Sequence, residues 1–215
     1  MSTMESALDQ GRRITAEEFV GSPREERCEL IDGRVVPLSQ PAPSHGLLAH
    51  QIALALGIHI KNHEDGGKVC GEAAFHLAAR IDGGDTVRAP DAAYLDEEYL
   101  TAACAVEPTG SGEPSGADRR VPPPRFWPGG PTLAVEVMSP SDPWPKILAK
   151  GAHWLAAGSR EVWIVAEASR EVHALYCDRL TKVFGLPPEH TANTVTTELL
   201  PGFALPVADL FAVLD

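Results

Sequence analysis

The run PTLAVEVMS sets Leu133, Val135 and Val137 on one face of an extended chain and Thr132, Ala134, Glu136 and Met138 on the other, because strand side chains alternate. This apolar run reads as a core strand whose Leu133 side packs, while the side that carries Glu136 is expected to open toward a shallow cleft. Glu136 breaks that pattern, and Asp91 breaks it again in VRAPDAAYL, where it shares a face with Ala89 and Ala93. An ionised carboxylate in such a strand is costly unless something cationic meets it. If the two strands pair, both acids point into one pocket, and a hard divalent ion such as Mg2+ could be shared between them, with waters and a substrate phosphate completing its octahedron. The alternative is structural: Asp91 pairs with Arg88 or another arginine, and Glu136 is a polar strand end.

The rest of the chain reads as strands and helices in irregular alternation. CELIDGRVVPL is a hairpin about Asp32-Gly33, since an Asp-Gly pair between apolar residues favours a tight turn. A helix follows from Ser44, a suitable N-cap, carrying Leu47, Leu48, Ile52, Leu54, Ala55 and Ile58 until HEDGG stops it. KVCGEAAFHLAARI and TVRAPDAAYL are strands joined at Gly83-Gly84, and DEEYLTAA is a short helix. In residues 105–130, eleven of 26 are Gly or Pro, which marks a loop without core. After PTLAVEVMS a helix capped by Asp142 or Ser141, with Pro143 in its first turn, runs to Gly158. REVWIVAE and REVHALYC form a hairpin, and further strand and a terminal helix end the chain. The fold class is α/β or α+β: a mixed β-sheet flanked by helices, with N-terminal and C-terminal β-hairpins. At 215 residues this predicts a flexible N-terminus over 1–13 and one domain over 14–215.

The helix after Glu136 supplies positive charge. Ile147, Leu148, Gly151, Trp154 and Leu155 form one apolar arc, and Lys150 lies about 40° beyond its Trp154 edge. Lys150 can run its methylenes along the packed face and deliver its ammonium toward the sheet, whereas Lys146 points to solvent. His59 and His63, at i and i+4 near the end of the earlier helix, suit the C-terminal dipole better than a metal. There is no second histidine to complete an HExxH zinc motif, no GxSxG elbow and no phosphate-cradling glycine loop.

Composition narrows the setting. With 44% hydrophobic and 22% charged residues and no apolar run of membrane-spanning length, the chain is expected to be soluble and unconnected to a membrane. Four scattered cysteines, Cys28, Cys70, Cys104 and Cys177, suit a reducing compartment, and no apolar leader opens the sequence, so a cytoplasmic location is expected. A net charge of −12 repels polyanions unless basic groups gather on one face.

ELIDGRVV, SHG opening a helix, VRAPDAAYL, LAVEVMSPSD, LAAGSREVWIV and LPGFALPVADLF, in this order, resemble the Uma-type family of putative restriction endonucleases, assigned to the PD-(D/E)XK nuclease superfamily. The resemblance covers Ile14 to the C-terminus. It implies a restriction-endonuclease-like fold and a Mg2+- or Mn2+-dependent site that hydrolyses phosphodiester bonds of nucleic acid, DNA rather than RNA, in a homodimer. Asp91 matches the aspartate of the PD motif and Glu136 the second acid, both as metal ligands; Lys150 matches the helix lysine, and Glu29 an early acid that assists. His45 and Arg88 match positions that would meet a phosphate. Two residues depart from the pattern: Met138 stands where the superfamily usually has its lysine, and Ala166 where many relatives have an aspartate. The rival expectations are a non-catalytic binding module on the same fold and a phosphoesterase for a small nucleotide.

Overall fold

Alternating burial and paired turns build three sheets, seen in a computed structural model that describes residues 13–21, 27–77, 84–105, 125–139 and 142–215. In chain order the elements are α1 (Ala16–Gly21), β1 (Cys28–Ile31), β2 (Arg34–Pro37), α2 (Pro43–Asn62), β3 (Lys68–Cys70), β4 (Phe75–Leu77), β5 (Thr86–Arg88), β6 (Ala92–Leu95) and α3 (Glu97–Ala105). There follow β7 (Trp127–Pro128), β8 (Leu133–Met138), α4 (Trp144–Ala156), β9 (Glu161–Ala166), β10 (Glu171–Leu175), β11 (Lys182–Phe184), β12 (Thr194–Val195), β13 (Leu205–Pro206) and α5 (Val207–Phe211). The architecture is mixed α+β, as expected. Residues 1–12 of the expected flexible N-terminus and 106–124 of the Gly/Pro-rich stretch lie outside the described residues, as do Gly83 and Ser141.

A six-stranded sheet in the order β11-β10-β9-β8-β6-β3 holds the fold together, and within it only β8 and β9 run parallel. Parallel neighbours need a crossover, and α4 provides it, which sets this helix over the face that carries Glu136. The opposite face is covered by α2, whose Leu48, Ile52, Leu56 and Ile60 pack on Ala92, Tyr94, Leu133, Val135, Val137, Trp163 and Val165. Each such side chain contributes roughly 1.5–3 kcal/mol when removed from water. Ile147 and Trp154 of α4 join Ala134, Val162 and Ile164 with Phe75 and Leu77 in a second cluster.

A five-stranded sheet, β2-β1-β5-β4-β7, stands beside the first. Two stretches expected to be continuous strands instead divide between the sheets. KVCGEAAFHL breaks into β3 and β4, turning at Glu72 with φ of 50°, and TVRAPDAAYL breaks into β5 and β6. Pro90 lacks the N–H a ladder would need, while its carbonyl accepts from the Glu72 N–H at 3.1 Å, so both chains cross over side by side. Asp91 therefore sits at the crossing, not within a strand. Its N–H donates to Val135 O at 3.0 Å, which ties it to β8.

Two helix starts also differ from expectation. Ala42 rather than Ser44 is the N-cap of α2, with Pro43 in the first turn, and the Ser44 hydroxyl donates instead to Glu167 Oε2 at 2.8 Å. Pro143 is the N-cap of α4, while Asp142 accepts from Lys146 Nζ at 2.8 Å. The stretch 105–130 is not wholly without strand, since Trp127–Pro128 pairs in parallel with β4.

Candidate active site

Four elements deliver the expected residues to one place. Glu29 comes from β1, where it faces Val36 of the hairpin; Asp91 from the crossing between β5 and β6; Glu136 from β8; Lys150 from α4. All four, with His45 and Arg88, line one cavity of about 300 Å³. Its apolar wall includes Val36, Leu38 and Ile147, and Arg27, Ser139, Asp142 and Lys146 also contribute to its lining.

Glu136 is 2% exposed, deeper than a shallow cleft would leave it, because α4 and the five-stranded sheet close over its face. Both of its oxygens are engaged: Trp154 Nε1 donates to Oε1 at 2.6 Å, and Lys150 Nζ stands 2.7 Å from Oε2. Burial pushes the Glu136 carboxyl up to about 7; Lys150 pulls the other way, and the nearby charge of Asp91 adds to the rise. Burial also works against the Lys150 ammonium, but Glu136, Glu29 and Asp91 together outweigh it and hold Lys150 charged beyond its ordinary range. Lys150 thus answers Glu136, one of the two carboxylates that the sequence left unpaired.

Lys150 Nζ lies 3.3 Å from Glu29 Oε1, within ion-pair reach yet without a hydrogen bond, so this buried oxygen is unsatisfied among the described residues. The other oxygen of Glu29 accepts from Arg88 NH1 at 2.7 Å, and Arg88 NH2 lies 3.1 Å from His153 Nδ1 on α4. Arg88, expected beside a phosphate, is buried with its charge directed at Glu29. Asp91 Oδ2 accepts the Val137 N–H at 2.7 Å and stands 3.2 Å from His45 Nε2. That hydrogen-bonded carboxylate raises the His45 imidazole above its usual value, against the effect of burial.

No three His, Cys, Asp or Glu side chains among the described residues converge as a dedicated protein cage for a metal. The donor set nevertheless fits Mg2+, which uses one or two carboxylates and fills its remaining positions with waters and substrate oxygens. It does not fit zinc, which takes three or four nitrogen or sulfur-rich protein ligands. His59 and His63 remain apart from the cavity. Their rings stack at 4.0 Å, and His63 is the C-cap of α2.

Trp154 and His153 were not foreseen as part of the site. Helical periodicity counts an indole as apolar surface; the available signal was that a buried Trp N–H requires an acceptor, and Glu136 lies on the adjacent strand. Leu148, placed in the packed arc by the same periodicity, is 43% exposed, while Ile147, Gly151 and Trp154 are buried and Leu155 packs partly buried against the cluster beneath α4.

No curated protein matches the chain. A solved structure, that of a putative nuclease of the DUF820 family from Anabaena variabilis, shares the fold with a TM-score of 0.70 and 19% identity, over 94% of this chain and 99% of that one. The family described as Uma2, putative restriction endonuclease, matches residues 16–208, and the chain belongs to that family.

Proposed function

We propose that this protein is a Mg2+- or Mn2+-dependent endonuclease that hydrolyses phosphodiester bonds of nucleic acid, with DNA favoured over RNA by the family's description. The observation that carries the reading is the convergence of Asp91, Glu136 and Lys150 on one cavity. Asp91 and Glu136 hold the ion. When bound, it would lower the pKa of a water and offset charge growing on the phosphoryl oxygens. Lys150 orients the attacking water from its seat between Glu136 and Glu29. Glu29, fixed by Arg88, keeps the ammonium at that height. His45, drawn toward its protonated form by Asp91, brings positive charge to the phosphate at the mouth.

The test is cleavage of circular and linear DNA, and of RNA, with Mg2+ or Mn2+ added or chelated. Cleavage by the wild type that is abolished in Asp91→Ala and by chelation supports the proposal; equal traces of cleavage in wild type and variant refute it. A phosphoesterase acting on a small nucleotide is the second reading, favoured by the cavity of about 300 Å³ in a chain of net charge −12. Release of phosphate from nucleotides without cleavage of polymers would select it. A non-catalytic binding module is the third, and indifference to metal together with a stable bound protein would select that.

A cytoplasmic location and a homodimer belong to the same proposal. No described helix is long and apolar enough to cross a membrane. Self-association is supported by Leu47, Leu54 and Ile58, exposed along one stripe of α2. Sedimentation of the wild type as a dimer and of Leu54→Glu as a monomer would bear it out.

A further inference from the structure

We infer that Glu167 is a positioning residue for His45, acting through Ser44: its carboxylate holds the first turn of α2 at the mouth of the cavity. The inference rests on the phosphate contact given to His45 above. That turn has little of its own to hold it. Ala42, the N-cap, offers no side-chain hydrogen bond, Gly46 is a poor helix former, and Leu48 is the first residue of α2 to be buried. Pro43 suits a first turn but has no N–H to contribute. Two acids from elsewhere in the fold supply the hold. Asp91 Oδ2 stands 3.2 Å from His45 Nε2, and Glu167 Oε2 accepts from the Ser44 hydroxyl at 2.8 Å, across 123 positions of sequence.

The sheet sets Glu167 in place for this. β8 and β9 run parallel with Met138 opposite Ala166, so the turn after β9 emerges at the end of the sheet where Asp91 meets Val137. Ala166 pairs with Glu171, and the Arg170 N–H donates to Glu167 O at 3.2 Å, which closes that turn and fixes the backbone of Glu167. A carboxylate bonded to the first turn of a helix also meets the positive end of the helix dipole, so it stabilises the turn as a cap would. The two tethers differ in one respect. Asp91 lines the cavity and is a proposed ligand of the ion, so its hold on His45 is shared, whereas neither Ser44 nor Glu167 lines the cavity. Ser44 and Glu167 thus keep His45 at the mouth while Asp91 serves the ion.

Backbone hydrogen exchange of the full chain tests the clamp without relying on cleavage. The His45 and Gly46 N–H groups both donate to Ala42 O, at 3.1 and 3.4 Å. Their exchange should quicken about 3–10-fold in Glu167→Ala, as on losing a helix cap. Glu167→Gln keeps an acceptor for Ser44 and should retain most of the protection. Ser169→Ala, which removes a hydrogen bond to Glu171 from the same turn, should change nothing at α2. Unchanged exchange in Glu167→Ala, or the same loss in Ser169→Ala, overturns the clamp. Cleavage kinetics test what the clamp is for. Glu167→Ala should raise KM for DNA by about 3–10-fold with kcat little changed, because it weakens binding common to ground and transition states. In a His45→Ala background the same substitution should add nothing. A further rise there would mean a general structural role and refute the inference. A wild type that cleaves nothing overturns the proposed function and the link to the phosphate with it, and the exchange measurement then decides the clamp alone.

Discussion

Glu136 and Lys150 show how strongly a buried carboxylate depends on one neighbour. Lys150→Met leaves Glu136 without its nearest cation and should lower the unfolding free energy by about 3–5 kcal/mol at pH 8. The pH dependence has a definite sign. Glu136 binds its proton more tightly in the folded state, with a value of about 7 against 4.5 for an ordinary glutamate, so its contribution is fully present below about 4.5 and is lost as pH rises through 7. Removing Lys150 widens that gap, and the destabilisation should be smaller at pH 5 than at pH 8 in urea titrations; equal losses at both would contradict it. His45 provides a complementary measurement. Its raised value comes first from the hydrogen bond with Asp91, so Asp91→Asn should return the His45 ring titration, followed by proton resonance, toward 6.5. No change would mean that the pair is not formed in solution. Asp91 and Glu136 were legible in the sequence because a charge inside an apolar run demands an explanation, and Lys150 because it borders the apolar arc of its helix; Glu29 was found only through the family resemblance. The indole of Trp154 was not legible, because its polar atom is hidden within a side chain that otherwise packs as hydrocarbon.

At the scale of elements, α4 works as a lever whose height over the sheet sets where Lys150 and Trp154 reach. Gly151 is the point of closest approach. A Cβ built there would meet Leu175 Cδ2 at 3.4 Å and Ile164 Cδ1 and Val162 Cγ1 at 3.7 Å, which is ordinary contact. Gly151→Ala should therefore be accepted, and it should add about 0.5–1 kcal/mol of stability through helix propensity. Gly151→Leu has no such room: it should cost about 1–3 kcal/mol by overpacking and, by lifting Lys150 from Glu136, abolish the proposed cleavage. Thermal unfolding and cleavage measured on both variants would check the pair; a fully active Gly151→Leu would show that the height of α4 does not matter. The helix was readable from its period, as were the apolar runs of β8 and β9, since all three are governed by local alternation and burial. The division of the 68–95 region between two sheets was not. Only tertiary pairing, with β1 on one side of Pro90 and β8 on the other, decides that the chain changes sheets there.

For the molecule as a whole, the question is how a chain of net charge −12 approaches a polyanion. Each cation that lines the cavity already has an acid beside it: Arg27 with Glu72 at 2.6 Å, Lys146 with Asp142 at 2.8 Å, Arg88 with Glu29 and Lys150 with Glu136 at 2.7 Å. The first two pairs are the more exposed and, for that reason, weakly held; a phosphate can compete for Arg27 and Lys146 at little cost. The buried pairs cannot be recruited in this way without stranding Glu29 or Glu136. Binding should therefore neutralise one or two phosphates rather than a stretch of backbone. Because the logarithm of affinity falls against the logarithm of salt with a slope of about 0.9 per phosphate neutralised, the expected slope is about −1 to −2. Fluorescence anisotropy of a labelled oligonucleotide on Asp91→Asn, titrated across salt concentrations, would measure it without cleavage. A slope of about −6 or steeper would require a broad basic surface and would rule out an approach through the cavity mouth alone. A slope near −1 would instead make local contacts, more than a long-range attractive field, the basis of the proposed phosphodiester recognition.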